Sequence, residues 1–223
     1  IVRDIPVQAV AAHLNLNRLY RLSWGGKNTH GEAWKKLRAK FDERRERMLK
    51  EAQKEAWIEP QAVYGYWPVQ AEGNELLVYE PESIKSSQPV VLERFCFPRR
   101  KGGDGLSLAD YFSNVESGRM DLVALQVVTV GRRASELFAQ WEAADRYSDA
   151  YFLHGLAVQM AEATANYLHM HIRKELGLAQ DQGLRYSWGY SAIPDLAEHQ
   201  KVFRLLPAES ALGLELTSAY QLV

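Results

Sequence analysis

The sequence predicts an α+β fold with a largely antiparallel sheet. Its β-rich runs come early and as hairpins, its helical runs are grouped on either side of them, and its 223 residues are within reach of one such domain. Ile1 to Val10 holds a short alternating apolar piece, a strand or a linker. LNLNRLYRLSW (14–24) places Leu16, Leu19, Tyr20 and Ser23 on one helical face, and Gly25-Gly26 stops it. Residues 31–57 form the clearest helix, with Trp34, Leu37, Phe41, Met48 and Ala52 as an apolar stripe and a charged, solvated remainder.

AVYGYWPVQ (62–70) and ELLVYE (75–80) read as a hairpin about Ala-Glu-Gly-Asn. Pro68 predicts that the first strand lies at an edge or ends early, because proline cannot donate to a ladder. VVLERFCFPRR (90–100) is a further strand, followed by a KGGDG turn. SLADYF (107–112) opens with a Ser-x-x-Asp cap and predicts a short helix. DLVALQVVTVG (121–131) is the most apolar strand, so a central place is expected for it. Residues 132–176 are helical in two pieces meeting near Ala144-Asp145, the second burying Phe152, Leu156, Met160, Ala163 and Tyr167. PDLAEHQKVFRLL (194–206) is a helix with Pro194 in its first turn, and LGLELT (212–217) is a last strand.

Composition narrows the function classes. Hydrophobic residues make up 47% and charged residues 25%, the balance of a folded globule. A net charge of −1 argues against nucleic-acid binding driven by bulk charge, which needs clustered Lys and Arg. No apolar stretch approaches the ~20 residues of a membrane helix. The single cysteine, Cys96, lies between two phenylalanines and is expected as a buried thiol in a reducing, cytoplasmic setting. The beginning IVRDIPVQAV has neither a start Met nor a signal-peptide pattern and reads as a cut from something longer.

Metal and nucleotide motifs are missing. His169 and His171 fall on different helix faces, and GGDG (102–105) lacks the Lys-Ser/Thr and the strand–turn–helix frame of a phosphate loop. Glu162 stands in MAEATANYLH among small residues, with Asn166 and His169 on the same side. It is either a carboxylate facing a ligand or one on an outer face. LRYSWGYSAIPDL (184–196) offers Arg185 as a planar fork for a carboxylate or phosphate, Gly189 for close backbone approach and Tyr190 as a flat face with a polar tip. Such a loop grips a small anionic, partly aromatic ligand, or else caps a sheet edge.

Arg185-x-x-x-Gly189-Tyr190-x-Ala192-x-Pro194 resembles the ligand-binding motif of the C-terminal activation domain of cobalamin-dependent methionine synthases. GYWPVQAEGNELLVY (65–79), LADYF (108–112) and AEATANYLHMHIRK (161–174) resemble that family's other segments in order and spacing, so the likeness spans about Ala11 to Leu216. It implies an S-adenosylmethionine-binding domain with a long twisted antiparallel sheet flanked by helices. When cobalamin has oxidised to an inactive Co(II) state, such a domain docks on the cobalamin-binding module of the same polypeptide. Flavodoxin or a similar donor supplies an electron, and the methyl of S-adenosylmethionine regenerates methylcobalamin. The cobalt is the nucleophile, so no catalytic residue is expected in this domain; its work is positioning and electrostatics. The resemblance implies an enzyme domain, part of a methionine synthase, and the fragment alone is not expected to make methionine.

By the same resemblance Arg185 would clamp the methionyl carboxylate, and backbone around Ser187 and Gly189 would bond the ligand. Tyr190 would lie at the ligand's edge towards the corrin, and Glu162 near its amino group or sulfonium. Where the family has an Asp near the start, the matching region is LNLN, with Asn15 or else Asn17 in its place. A second family acid corresponds to Ala179, with Asp181 close by. Residues 1–12 would be a linker or extension from a preceding cobalamin-binding module, and 13–223 the activation domain, cut short at its C-terminal end. A stand-alone relative that binds S-adenosylmethionine or a corrinoid protein, or an interaction module that has lost the ligand, would share many of these features. Arg185, Gly189 and Tyr190 together speak for ligand binding; Asn15 and Ala179 speak for its loss.

Overall fold

The computed structural model describes residues 1–100, 102, 105–179 and 182–223, so Asp181 and most of the expected KGGDG turn lie outside the described residues. The chain forms two compact units, Ile1–Ala62 with Val127–Leu178, and Val63–Gln126 with Ala179–Val223.

The first unit is helical. Val2 makes an antiparallel bridge with Ala62 ahead of α1 (Val7–Ala11), and Ile5, Val7 and Val10 are buried. Residues 1–12 thus supply apolar side chains to this unit. The segment α2 (Leu16–Arg18) runs on as a π-helical turn over Leu19–Ser23, and Gly25 at φ +76° breaks it where the Gly-Gly pair predicts. Helix α3 (Gly31–Glu55) buries Phe41, Met48, Leu49 and Ala52 and leaves its charged face in water. A two-residue-longer reading of this helix stops short because Ala56 turns left-handed at φ +49°.

Helices α4 (Arg133–Ala143) and α5 (Tyr147–Glu175) meet at Asp145, φ +56°, as the two-piece reading predicts. Of the expected α5 stripe, Leu156, Met160 and Ala163 are buried, whereas Phe152 and Tyr167 are half-buried. The buried surface of α5 is broader than one stripe, adding Leu153, Leu168 and Ile172, because α1, α4 and the π-helical turn all touch it. The core of the unit is aromatic. Trp24 lies 5.5 Å from Tyr20, 5.4 Å from Phe41 and 5.3 Å from Phe152, ring centre to ring centre, and its Nε1–H donates to the Phe152 carbonyl at 3.0 Å. Gly155 permits this approach, since a Cβ there would stand 2.8 Å from the Trp24 ring.

The sheet, mostly in the second unit, consists of β1 (Gln61–Glu72), β2 (Glu75–Tyr79), β3 (Val91–Cys96) and β4 (Asp121–Thr129) in the order β3-β2-β1-β4. The β1–β2 and β2–β3 pairs are antiparallel. Gly73-Asn74 closes the predicted hairpin, with Glu72 opposite Glu75.

Two strand expectations need correction. β1 has neighbours on both sides and runs through Pro68, which sits just before the stretch paired with β2, where its missing N–H costs that ladder nothing. The apolar β4 ends the order rather than occupying the middle. Apolar content reports how well a strand's faces are covered, and Leu125 and Val127 are buried; it does not report hydrogen-bonding position.

Cys96 is exposed, not buried: strand alternation turns Phe95 and Phe97 inwards and the thiol out. Ser107 and Asp110 form the predicted capping box, but on a 3₁₀ turn, Leu108–Tyr111. The helix expected from Pro194 starts later: Asp195, directly after Pro194, is the N-cap of a 3₁₀ turn Leu196–Glu198 leading into α6 (His199–Leu205), so Pro194 precedes the helix and is not in its first turn. After α7 (Ala208–Leu212) the expected strand is only a Leu216–Leu222 bridge, because the chain doubles back at Tyr220, φ +59°.

Candidate functional site

The loop between residues 184 and 196 is held from three directions within its unit. Trp188 packs on Phe95 of β3 at 5.4 Å between ring centres, and edge-on against His199 of α6 at 5.9 Å. His199 is itself fixed, its Nδ1 lying 2.8 Å from the Tyr220 carbonyl oxygen. The neighbouring Lys201 donates to the Arg94 carbonyl at 2.6 Å and pairs with Glu198 at 2.6 Å, tying α6 to β3. Arg204 adds an ion pair with Glu93 of β3.

Within the loop, the Gly189 N–H donates to the Ile193 carbonyl at 2.9 Å, and the Ile193 N–H donates to the Tyr190 carbonyl at 3.0 Å. This closed turn requires φ +87° at Gly189, in the left-handed region that a side chain rarely tolerates, and a Cβ would also meet Leu196 Cδ2 at 3.0 Å. Ile193 is buried beneath the turn, and Tyr190 is 54% exposed above it. Arg185 is half-buried, and its Nη1 donates to Ser187 Oγ at 3.0 Å. The structure therefore gathers Arg185, Ser187, Gly189 and Tyr190 on one braced loop, with a guanidinium, a hydroxyl and an aromatic tip.

The other predicted site residues belong to the first unit. Asn15 is exposed and is the N-cap of α2, its Oδ1 accepting from the Arg18 N–H at 3.0 Å. Glu162 is half-buried on α5, as are Asn166 and His169, and its neighbour Ala163 is sealed in the core. The residue that the sequence reading left without a role is Trp188. Its signal was an aromatic residue inside a Gly-turn loop, but its partners Phe95 and His199 are remote in sequence. Among the described residues, no group of three or more His, Cys, Asp or Glu is placed to hold a metal ion, and no helix is long and apolar enough to cross a membrane.

A family model described as the vitamin B12-dependent methionine synthase activation domain matches residues 27–223. The chain belongs to this family. Among curated relatives, the activation domain is 34% identical over 184 residues to the methionine synthase of Mycobacterium tuberculosis and 30% identical over 183 residues to that of Mycobacterium leprae. Each alignment covers 72% of this chain and 15% of the relative, so the chain spans about 15% of the length of these enzymes. A crystal structure described as the MetH reactivation domain bound to AdoHcy superposes with a TM-score of 0.84 at 22% identity, covering 99% of this chain and 73% of that one. The activation domain shares its α+β fold with that structure.

Proposed function

We propose that this activation domain binds S-adenosylmethionine and positions its methyl group for the reductive methylation of cobalamin within a longer methionine synthase. The observation that carries the reading is the family match over residues 27–223, which includes the whole Arg185–Pro194 loop. The loop's chemistry suits the ligand. A guanidinium steadied at one corner is a fork for the methionyl carboxylate, and the φ +87° turn at Gly189 lets backbone approach a ligand without an intervening side chain.

Cobalamin, held by a module outside this chain, supplies the nucleophile. Arg185 fixes the carboxylate, and backbone near Ser187 and Gly189 fixes the remainder of the methionyl group. Tyr190, at the exposed tip of the turn, faces whatever docks there. Holding donor carbon and acceptor in line is the whole of the domain's contribution, because a bimolecular transfer becomes effectively unimolecular once both are fixed. The roles of Glu162, near the ligand's positive charge, and of Asn15 rest on the resemblance alone. So do a flavodoxin-type electron donor and residues 1–12 as the joint to a preceding cobalamin-binding module, whereas the cytoplasmic setting is read from the single cysteine, which can form no internal disulfide.

Calorimetric titration with S-adenosylmethionine, beside Arg185→Ala, tests the reading. Saturable binding is expected, and the substitution weakens it by ~1.5–3 kcal/mol, the range for a hydrogen bond to a charged group. An unchanged dissociation constant in Arg185→Ala removes the clamp role, and absence of binding by the parent chain removes the ligand.

A further inference from the structure

We infer that the Ser187 side chain is a positioning residue which sets the Arg185 guanidinium for carboxylate recognition. This goes beyond the proposed binding of S-adenosylmethionine, in which only backbone near Ser187 takes part, and it rests on that reading.

The Ser187 hydroxyl accepts from Arg185 Nη1 at 3.0 Å across two residues of one loop. An Arg side chain has many rotamers, and immobilising it on binding costs entropy that a prior hydrogen bond removes in advance. The bond to Ser187 is made through Nη1, and a guanidinium grips a carboxylate side-on with two parallel bonds from Nε and Nη2, so the two interactions use different N–H groups. The hydroxyl is itself well placed to do this. Its residue is half-buried and is followed at once by Trp188, which is clamped between Phe95 and His199, and by Gly189, whose N–H is bonded to Ile193. Ser187 therefore moves with the rigid part of the loop, and through Nη1 it lends that rigidity to a flexible cation. The ligand feature it governs is the methionyl carboxylate and not the adenosine.

The chemistry separates this role from a merely structural one. S-adenosylhomocysteine carries the carboxylate, and 5′-methylthioadenosine keeps the adenosine and thioether without it. In titrations of the 223-residue chain, Ser187→Ala is expected to weaken S-adenosylhomocysteine about three- to tenfold, the scale of one immobilised side chain. Ser187→Thr, which keeps the hydroxyl, restores parent affinity, and 5′-methylthioadenosine binds parent and both variants alike. Equal losses for the two ligands in Ser187→Ala would assign the hydroxyl to holding the loop and overturn the inference, as would parent-like binding of S-adenosylhomocysteine. If the parent chain bound neither S-adenosylmethionine nor S-adenosylhomocysteine, the proposed function would fall and this inference with it, an outcome distinct from a silent Ser187→Ala in a parent that binds.

Discussion

Tyr20 is 1% exposed and donates its phenol hydrogen to Asp42 Oδ1 at 2.6 Å. Burial first, and then the bond to Asp42, push its ionisation well above the ordinary phenol range. A folded-state pKa raised above the unfolded one contributes stability that is fully present below about pH 10 and is lost as pH climbs towards the folded value. Tyr20→Phe is therefore expected to cost about 1 kcal/mol at neutral pH through the lost hydrogen bond. It is also expected to flatten the decline in stability above about pH 10, both read from urea unfolding at a series of pH values; parallel declines would place the alkaline loss elsewhere. Gly189 makes a second case. Gly189→Ala forces a Cβ to φ +87° and against Leu196, so a loss of about 1–2 kcal/mol is expected from the backbone alone. Adding Leu196→Ala relieves the contact but not the strain, so the double variant still binds S-adenosylmethionine poorly in calorimetry. Parent-like affinity in the double variant would show that the contact, not φ, matters.

Among elements, the C-terminal end of α3 is improvable. Ala56 caps it in the left-handed region at φ +49°, with the Trp57 N–H reaching back to the Ala52 carbonyl at 3.2 Å. Ala56 is exposed, so its methyl group contributes little, and Ala56→Gly is expected to gain about 1 kcal/mol by removing the strain. A lower urea midpoint would mean that the added freedom of the unfolded glycine outweighs the relief. Elements with strong local chemistry were legible without tertiary structure. The Ser107–Asp110 capping box, the Gly73-Asn74 hairpin and the break at Asp145 are each set by residues within a few positions of one another. β4 and Cys96 were misjudged for a related reason. A run of apolar residues says that faces are covered, but neither the strand's place in the sheet nor the facing of one residue follows from it.

At the scale of the molecule, each compact unit is assembled from two separate stretches of chain, with crossings after Ala62, Gln126 and Leu178. No single cut releases a complete unit. Residues 1–126 keep the Tyr20–Trp24–Phe41 cluster but lose Phe152 and Gly155, against which Trp24 packs. The fragments 1–126 and 127–223 are therefore each expected to lack native near-ultraviolet dichroism, while the intact chain shows it. A native spectrum from either fragment would show that one stretch suffices.

What the sequence determined by itself is local and motif-borne: the α+β class, the break between α4 and α5, the β1–β2 hairpin, and the loop Arg185–Pro194 with the family it marks. Propensity, capping and turn chemistry act over a few residues, and a binding loop keeps its key groups close together in the chain. The tertiary structure decided what depends on partners far apart in sequence. It seated Trp188 between Phe95 and His199, ran β1 through Pro68 in mid-sheet, put β4 at an end and turned Cys96 to solvent. It also gave the Ser187 hydroxyl a use, because only a folded loop fixes the direction in which Arg185 points.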